Sequence, residues 1–303
     1  MSNNATYAAV EAGGTKFICA LSGADGSILE QITFPTRTPA ETFGDMKRFF
    51  VGAVDKHGAP IGAGLASFGP IELDPAAPSF GQIGATPKAG WTGADILGTL
   101  AEIAGTPVLL DTDVNAAALG ESRCGAGQDV DDFAYVTVGT GIGVGIMQGG
   151  RVRQVFPHTE MGHMRVPRAQ GDSFEGGCPF HGDCLEGLAC GPAMAARWGL
   201  PAESLDEDHR GWKFASHYIA ALCVNLTYSL RVQRILLGGG VMSPNFLIDR
   251  VRADYTRMMA GYALGSHAAD AQSFIARPLL TDPSPALVGA IEMARRAADA
   301  GSA

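Results

Sequence analysis

Positive charge is what this chain has least of. Its 303 residues carry 22 Lys and Arg against 31 Asp and Glu, a net charge of −9. A chain so acidic is repelled by nucleic acid and by anionic membrane surfaces, and no basic tract offsets it. Charged residues of both signs reach only 17%, against about a quarter in ordinary proteins. Long hydrophobic runs are missing too. The longest uncharged apolar stretch, residues 133–147, is too short to span a bilayer and is interrupted by Gly and Thr. Residues 1–10 have neither the basic start nor the apolar core of a secretory signal, so a soluble, cytoplasmic protein is expected. Six cysteines in such a chain point to thiols or metal ligands before disulfides.

What the chain does have is apolar residues, 46%, and glycine, 41 of 303. That is enough to fill a core, with roughly twice the usual share of glycine. The glycines follow no triplet period. They cluster at Gly13-Gly14, at 139–145 and at Gly238-Gly-Gly240, which marks sharp turns or backbone that lies close to a ligand.

Apolar runs at 7–11 and 16–21 flank Gly13-Gly14-Thr15 and read as a hairpin. Residues 133–138 and 142–147 repeat that plan around Gly139-Thr-Gly141. The period exceeds 100 residues, so the pattern predicts a duplicated α/β domain and not a solenoid. Strands are expected at 28–34, 61–68, 108–111 and 234–237. Helices are expected at 42–54, 92–104, 115–123, 193–198, 212–230, 245–259 and 286–298. The apolar stripe of 212–230 and the pair Met258-Met259 read as packing. Residues 157–190 are rich in Gly, Pro, His, Cys and acids and lack periodicity, which suggests an insertion held by something other than a core.

Three constellations carry chemistry. The two Gly/Thr tips offer convergent backbone N–H groups and a hydroxyl, a nest that suits phosphate, and Lys16 adds charge beside the first. Neither tip has P-loop or dinucleotide-fold spacing. In Asp111-Thr-Asp113-Val-Asn115, Asp113 lies where a strand meets a helix. It can serve as general base, as helix N-cap, or as both. Cys178-Pro-Phe-His181-Gly-Asp-Cys184, with His163 upstream, makes a closed four-ligand N/S set that suits structural zinc. His158 is the competing fourth ligand. Such a zinc would pin the loop carrying Glu160 and Glu186. Cys19, Cys124, Cys190 and Cys223 sit in apolar or small-residue contexts and read as core thiols.

Taken together, Glu11-Ala-Gly-Gly-Thr-Lys16, Thr112-Asp-Val-Asn-Ala-Ala-Ala-Leu-Gly-Glu121, Gly139-Thr-Gly-Ile-Gly143, His158-Thr-Glu-Met-Gly-His163, the Cys178–Cys184 run with Leu-Glu186-Gly, and Leu237-Gly-Gly-Gly240 resemble the ROK sugar kinases. The Glu11 start, Ser79-Phe-Gly-Gln-Ile-Gly-Ala-Thr-Pro-Lys-Ala-Gly-Trp91 and Asp172-Ser-Phe-Glu-Gly-Gly-Cys178 are most similar to the bacterial fructokinase branch. The resemblance implies an actin-like ATPase (ribonuclease H-like) α/β fold of two lobes with a cleft between them. The first lobe would be residues 1–115, rejoined by a last helix at about 286–303. The second would be residues 116–285, with a zinc-binding insertion at about 157–190.

The resemblance also implies roles. Gly13, Gly14, Thr15, Lys16, Gly139, Thr140, Gly141, Gly238, Gly239 and Gly240 would bind ATP, with Mg²⁺ near Glu11. Asp113 would be the catalytic base. Gly69, Thr112, Asp113, Glu160, His163 and Glu186 would meet the sugar, and His163, Cys178, His181 and Cys184 would hold zinc. The implied activity is phosphorylation of the 6-hydroxyl of D-fructose by a homodimer. The alternatives are a kinase for mannose, glucose or an N-acetylhexosamine, a sugar-sensing regulator, or an actin-like filament protein. Thr112 stands where glucose-using members commonly have Asn, which weakens a glucokinase reading. With the first hairpin starting at Tyr7, no DNA-reading domain is expected before it.

Overall fold

A computed structural model describes residues 5–262 and 265–301. The chain divides into two compact units. The first is Met1–Arg123, Arg153–His158 and Leu280–Ala303; the second is Cys124–Val152 and Thr159–Leu279.

In the first unit β1 (Thr6–Ala12), β2 (Lys16–Gly23) and β3 (Ile28–Pro35) form an antiparallel meander. The helix α1 (Pro39–His57) leads to β4 (Pro60–Ser67), and α2 (Ile96–Ala104) leads to β5 (Val108–Thr112) and α3 (Asp113–Cys124). β4 lies parallel to β1, and β5 parallel to β4, so the sheet order is β3-β2-β1-β4-β5. β1 is buried on both faces. Ala8, Val10 and Ala12 meet a core with Met46 and Phe50 of α1 and Leu100 of α2, while Tyr7 packs with Ala294 and Ala298.

Those two alanines belong to the last helix, which crosses β4 at Gly62 and Gly64. A Cβ on Gly64 would lie 1.9 Å from the Ala290 carbonyl oxygen and one on Gly62 2.2 Å from that of Ala294. Only glycine lets the helix backbone sit on this strand. α1 begins with a capping box: Thr38 accepts the Glu41 N–H, and the Glu41 carboxylate reaches back to the Thr38 N–H. Its buried residues Thr42, Met46, Phe50 and Ala53 share one face. α2 starts at Ile96, later than the expected 92, because the Asp95 carboxylate caps it by accepting the Gly98 N–H. Trp91 instead plugs the core, fully buried, with its indole N–H on the Arg37 carbonyl.

In the second unit β6 (Phe133–Val138), β7 (Ile142–Gln148) and β8 (Arg151–Val152) form another meander. After α4 (Leu185–Ala189), α5 (Gly191–Trp198) and α6 (Gly211–Leu230) comes β9 (Arg234–Gly238). Then follow α7 (Asn245–Met259), α8 (Gly265–Ala268), α9 (Ala271–Phe274) and β10 (Ile275–Ala276). The sheet order is β10-β9-β6-β7-β8. Read from the other edge it matches the first unit strand for strand, with three antiparallel strands followed by two parallel ones. The expected repeat is thus present in topology as well as in its hairpins. The last helix, α10 (Pro285–Gly301), returns to pack on β1 and β4.

Two expectations are corrected. The sequence reading ends the first lobe at 115, but α3 is continuous from Asp113 and stays with the first unit to Arg123, which residues 153–158 also rejoin. Cys124, expected in the core, is exposed at the end of α3; Cys19, Cys190 and Cys223 are buried. Among the described residues no helix is long and apolar enough to cross a membrane.

Candidate functional site

In the first unit the β1–β2 tip is braced from three sides. The Gly13 N–H donates to the Lys16 carbonyl (2.9 Å), the Thr36 hydroxyl to the Gly13 carbonyl (2.7 Å) and the Lys88 ammonium to the Gly14 carbonyl (2.6 Å). Thr15 and Lys16 are exposed, and nothing lies within 4 Å of a Cβ added to Gly14. The tip therefore presents open backbone on a rigid turn. Glu11, one step back on β1, is half-buried and accepts a hydrogen bond from the Ser284 hydroxyl. Burial raises its pKa, with Ser284 and the Lys16 charge opposing. An acid raised in this way gains from a nearby cation.

The β5–α3 junction is built around Asp111. This buried carboxylate accepts the Thr112 N–H (2.8 Å), the Asn115 amide (2.7 Å) and the Gln154 amide (3.2 Å). Burial raises its pKa against those three donors. Thr112 caps α3, its hydroxyl taking the Asn115 N–H at 3.2 Å. The cap is therefore Thr112 and not Asp113, which opens the helix itself and accepts the Val114 N–H at 2.8 Å. Gly69, after β4, precedes Pro70, whose carbonyl accepts the Gly84 N–H at 2.8 Å.

In the second unit the β6–β7 tip repeats the first. The Gly139 N–H donates to the Gly141 carbonyl and the Gly191 N–H to the Gly139 carbonyl, each at 2.8 Å. Glu186, at the start of α4, accepts the Ile142 N–H at 2.9 Å. A Cβ on Gly141 would meet that carboxylate at 2.6 Å, so the tip and Glu186 are matched in shape. The Gly238-Gly-Gly240 turn ends β9 and reaches the same tip: the Gly240 N–H lies 3.9 Å from the Cβ position of Gly139. Gly239 has φ of 92°, and a side chain there would strike the Val138 backbone at 2.5 Å. Thr140 and Glu160 are exposed.

The insertion brings His163, Cys178, His181 and Cys184 together, their ligand atoms all within 4.8 Å of one another. His163 Nδ1 lies 3.5 Å from Cys184 Sγ, 3.7 Å from Cys178 Sγ and 3.3 Å from His181 Nδ1; His181 Nδ1 is 3.7 Å from Cys178 Sγ. A tetrahedron with metal–N of about 2.0–2.1 Å and metal–S of about 2.3 Å has edges of roughly 3.3–3.8 Å, a range these four separations meet, and the N/S chemistry of the set suits zinc. His158 is not part of this group; its Nε2 accepts the Ile71 N–H. The insertion is less coreless than expected. Ala169 and all but one residue of α4 are buried, and Ala169, Leu185, Leu188 and Ala189 join the main core.

Sequence reasoning missed four contributors to these sites. Lys88 lies inside the stretch that carries the family resemblance, so its position was visible but its role was not. Gln154 and Ser284 act through partners distant in sequence, which no local spacing marks; Asp111 stood in the quoted 111–115 run, but its buried bonding to Asn115 and Gln154 appears only in the fold.

The ROK family model matches residues 7–296, and the chain belongs to the ROK family. It is 42% identical over 255 residues to the fructokinase of Pediococcus pentosaceus, covering 84% of this chain and 86% of that one. It is 38% identical over 292 residues to the fructokinase of Zymomonas mobilis, covering 95% and 96%. Among solved structures, it superposes with a TM-score of 0.74 on a ROK family glucokinase from Streptomyces griseus in complex with glucose and AMPPNP. That structure is 25% identical, with 96% of this chain and 99% of that one covered. The two mixed sheets described above are thus those of the actin-like ATPase fold that ROK kinases share.

Proposed function

We propose that the chain is an ATP-dependent fructokinase that moves the γ-phosphoryl group of ATP to the 6-hydroxyl of D-fructose, giving fructose 6-phosphate and ADP. The observation that carries this reading is the 38–42% identity to proteins named fructokinase over most of the chain. The open glycine tips and the position of Asp113 agree with it. Asp113 takes the proton of the sugar hydroxyl as that oxygen attacks phosphorus. Positioning and charge complementarity supply most of the rate. Gly13 and Gly139 shape the two tips, their own N–H groups being taken by the Lys16 and Gly141 carbonyls, and the N–H groups of Gly14, Thr15, Thr140 and Gly141, with the Lys16 ammonium, bind phosphates. Gly238, Gly239 and Gly240 let the adenosine approach backbone. Thr112, Glu160, His163 and Glu186 meet sugar hydroxyls, with Gly69 at the wall.

Glu11 would hold Mg²⁺, whose charge when bound offsets that of the phosphates. His163, Cys178, His181 and Cys184 would hold a structural zinc, which supplies a cross-link and, with four protein ligands, leaves no open position for water. His163 would use Nδ1 for zinc and turn Nε2 toward the sugar or a hydrogen-bond partner. The proposed setting is a cytoplasmic homodimer. Six cysteines without a disulfide agree with a reducing compartment.

The test is a coupled ADP-release assay across fructose, mannose, glucose and N-acetylhexosamines. Fructose should show the highest kcat/KM. A clear preference for another hexose would replace this reading with a sister kinase, and no ADP release with any sugar would favour a sensor.

A further inference from the structure

After β8 the chain leaves the second unit for a short excursion, Arg153–His158, which belongs to the first unit, and it returns at Thr159. Two of its side chains are hydrogen-bonded within the first unit. The Gln154 amide donates to Asp111 at 3.2 Å. The Ile71 N–H donates to His158 Nε2, also at 3.2 Å. Neither residue belongs to the four-ligand cluster. Both partners adjoin groups assigned to the sugar: Asp111 organises the turn that presents Asp113, and Ile71 follows Gly69 and Pro70.

Ile71 is only 4% exposed. Its N–H would be a buried orphan if no acceptor came to it, and such groups are rarely left unpaired. The acceptor is supplied by a side chain far along the sequence, where a backbone carbonyl is the usual choice. Acceptance at Nε2 places the ring proton on Nδ1. The neighbouring backbone is also held by the sheet-like bridge of Ile71 with Ile83, by the Gly84 N–H on the Pro70 carbonyl and by the bonds of Glu72 with Gln82 and Gly81. His158 thus supplies a side-chain restraint at the Ile71 end of the Gly69-Pro70-Ile71 segment.

We propose that His158 is a positioning residue for sugar specificity: by accepting the Ile71 N–H it fixes the Gly69-Pro70-Ile71 wall against which the hexose is held. The inference rests on the fructokinase reading and deepens it. Gln154 keeps the other end of the excursion anchored, so loss of the His158 bond loosens the wall alone. A loosened wall weakens binding and blurs discrimination, while the base turn and the phosphate tips keep their geometry. The effect therefore appears in KM and in sugar preference more than in kcat.

The experiment compares the full chain with His158→Phe, which fills the ring's space without an acceptor, and His158→Gln, which restores one at similar reach. KM and kcat are measured for fructose and mannose, and hydrogen exchange is followed at the Ile71 amide. His158→Phe should raise KM for fructose about tenfold, the worth of one hydrogen bond, with kcat within about twofold. The fructose-over-mannose preference should fall in step. The Ile71 amide should exchange at least about tenfold faster, and His158→Gln should recover all three. Faster exchange with unchanged KM would make the bond purely structural and overturn the proposal; unchanged exchange, or failure of His158→Gln to rescue, would overturn it as well. If the wild type prefers another hexose, the fructokinase reading alone falls, and the same KM comparison on that hexose decides the role of His158.

Discussion

Replacing Arg197 with Met tests how the segment bearing the Cys/His cluster is held. Arg197, on α5, has 6% of its side chain exposed and Asp172 has 2%; they approach to 3.1 Å. The guanidinium also donates to the Leu188 carbonyl at 3.2 Å and lies 4.6 Å from the Phe174 ring centroid and 5.4 Å from that of Phe214. Asp172 has two neutral donors besides: the Tyr218 hydroxyl and, at 3.0 Å, the Phe174 N–H. Burial pushes the Tyr218 hydroxyl up to about 12, with Asp172 adding to the shift, and pulls Arg197 below its usual range.

Removing one member of such a buried pair costs about 3–5 kcal/mol. Two donors survive around Asp172, and Arg197 Nε has no hydrogen-bond partner among the described residues. These facts place the cost near the lower end, about 3 kcal/mol. With about 2.1 cal/mol/K of unfolding entropy per residue, 303 residues translate this into a Tm lowered by about 5 °C, or about 10 °C should the second unit unfold alone. Differential scanning calorimetry reads the shift. Asp172→Asn combined with Arg197→Met removes both charges and should recover most of it. A shift under about 1 °C for Arg197→Met, or a double variant as unstable as the single one, would refute the buried-pair argument.

Asp113→Asn should lower kcat by about 10²–10⁴-fold while calorimetry still detects sugar binding; near-normal turnover would remove Asp113 as the base. Freshly purified protein should contain about one zinc per chain by elemental analysis, lost in Cys178→Ser and Cys184→Ser; absence of zinc from the wild type would end the metal assignment. Gly289→Ala places a Cβ 1.8 Å from the Ala116 carbonyl oxygen. It should destabilise by about 1–3 kcal/mol or more in denaturant titration and lower kcat, because the helix that must move carries Asp113.

Much of the fold was legible because hairpins with glycine tips punctuate the chain in the same way twice, and the matching sheet orders show why. Each half needs a central strand flanked by an antiparallel meander and parallel crossovers. The cluster was legible because Cys178, His181 and Cys184 stand three residues apart on one loop. The sequence already placed His163 in the set with His158 as its competitor; the packed chain brings His163 to the other three and engages His158 with Ile71. The start of α2 was misplaced because apolar periodicity does not distinguish Trp91 as a core plug from Trp91 as a helical residue. The place of Asp113 at a strand-to-helix junction was in the sequence, but the hydroxyl that caps the helix came from Thr112. Gly62 and Gly64 in β4 read as a small-residue strand, and their purpose appears only when α10 arrives from the other end of the chain.

That arrival has a consequence for the two acids of the first unit. Ser284 accepts the Leu287 N–H at 3.2 Å, capping α10, and donates its own proton to Glu11 on β1. A few residues on, Gly289 lies against the Ala116 backbone, one turn into the helix that Asp113 begins, and Gly120 seats against Pro285. Glu121, fully buried on the same helix, accepts the Leu280 N–H at 2.9 Å where the chain re-enters the unit. The segment from Leu280 through α10 thus ties β1 at Glu11 and the helix that begins at Asp113 to a common frame through a hydroxyl, a carboxylate and two glycine contacts. Backbones packed so closely that no Cβ fits between them leave little room to yield. Errors in α10 should therefore reach the chemistry without touching any residue assigned to ATP or sugar. The closing segment of the chain thus packs against the elements that carry Glu11 and Asp113 even though its sequence, an alanine-rich amphipathic helix, carries no motif.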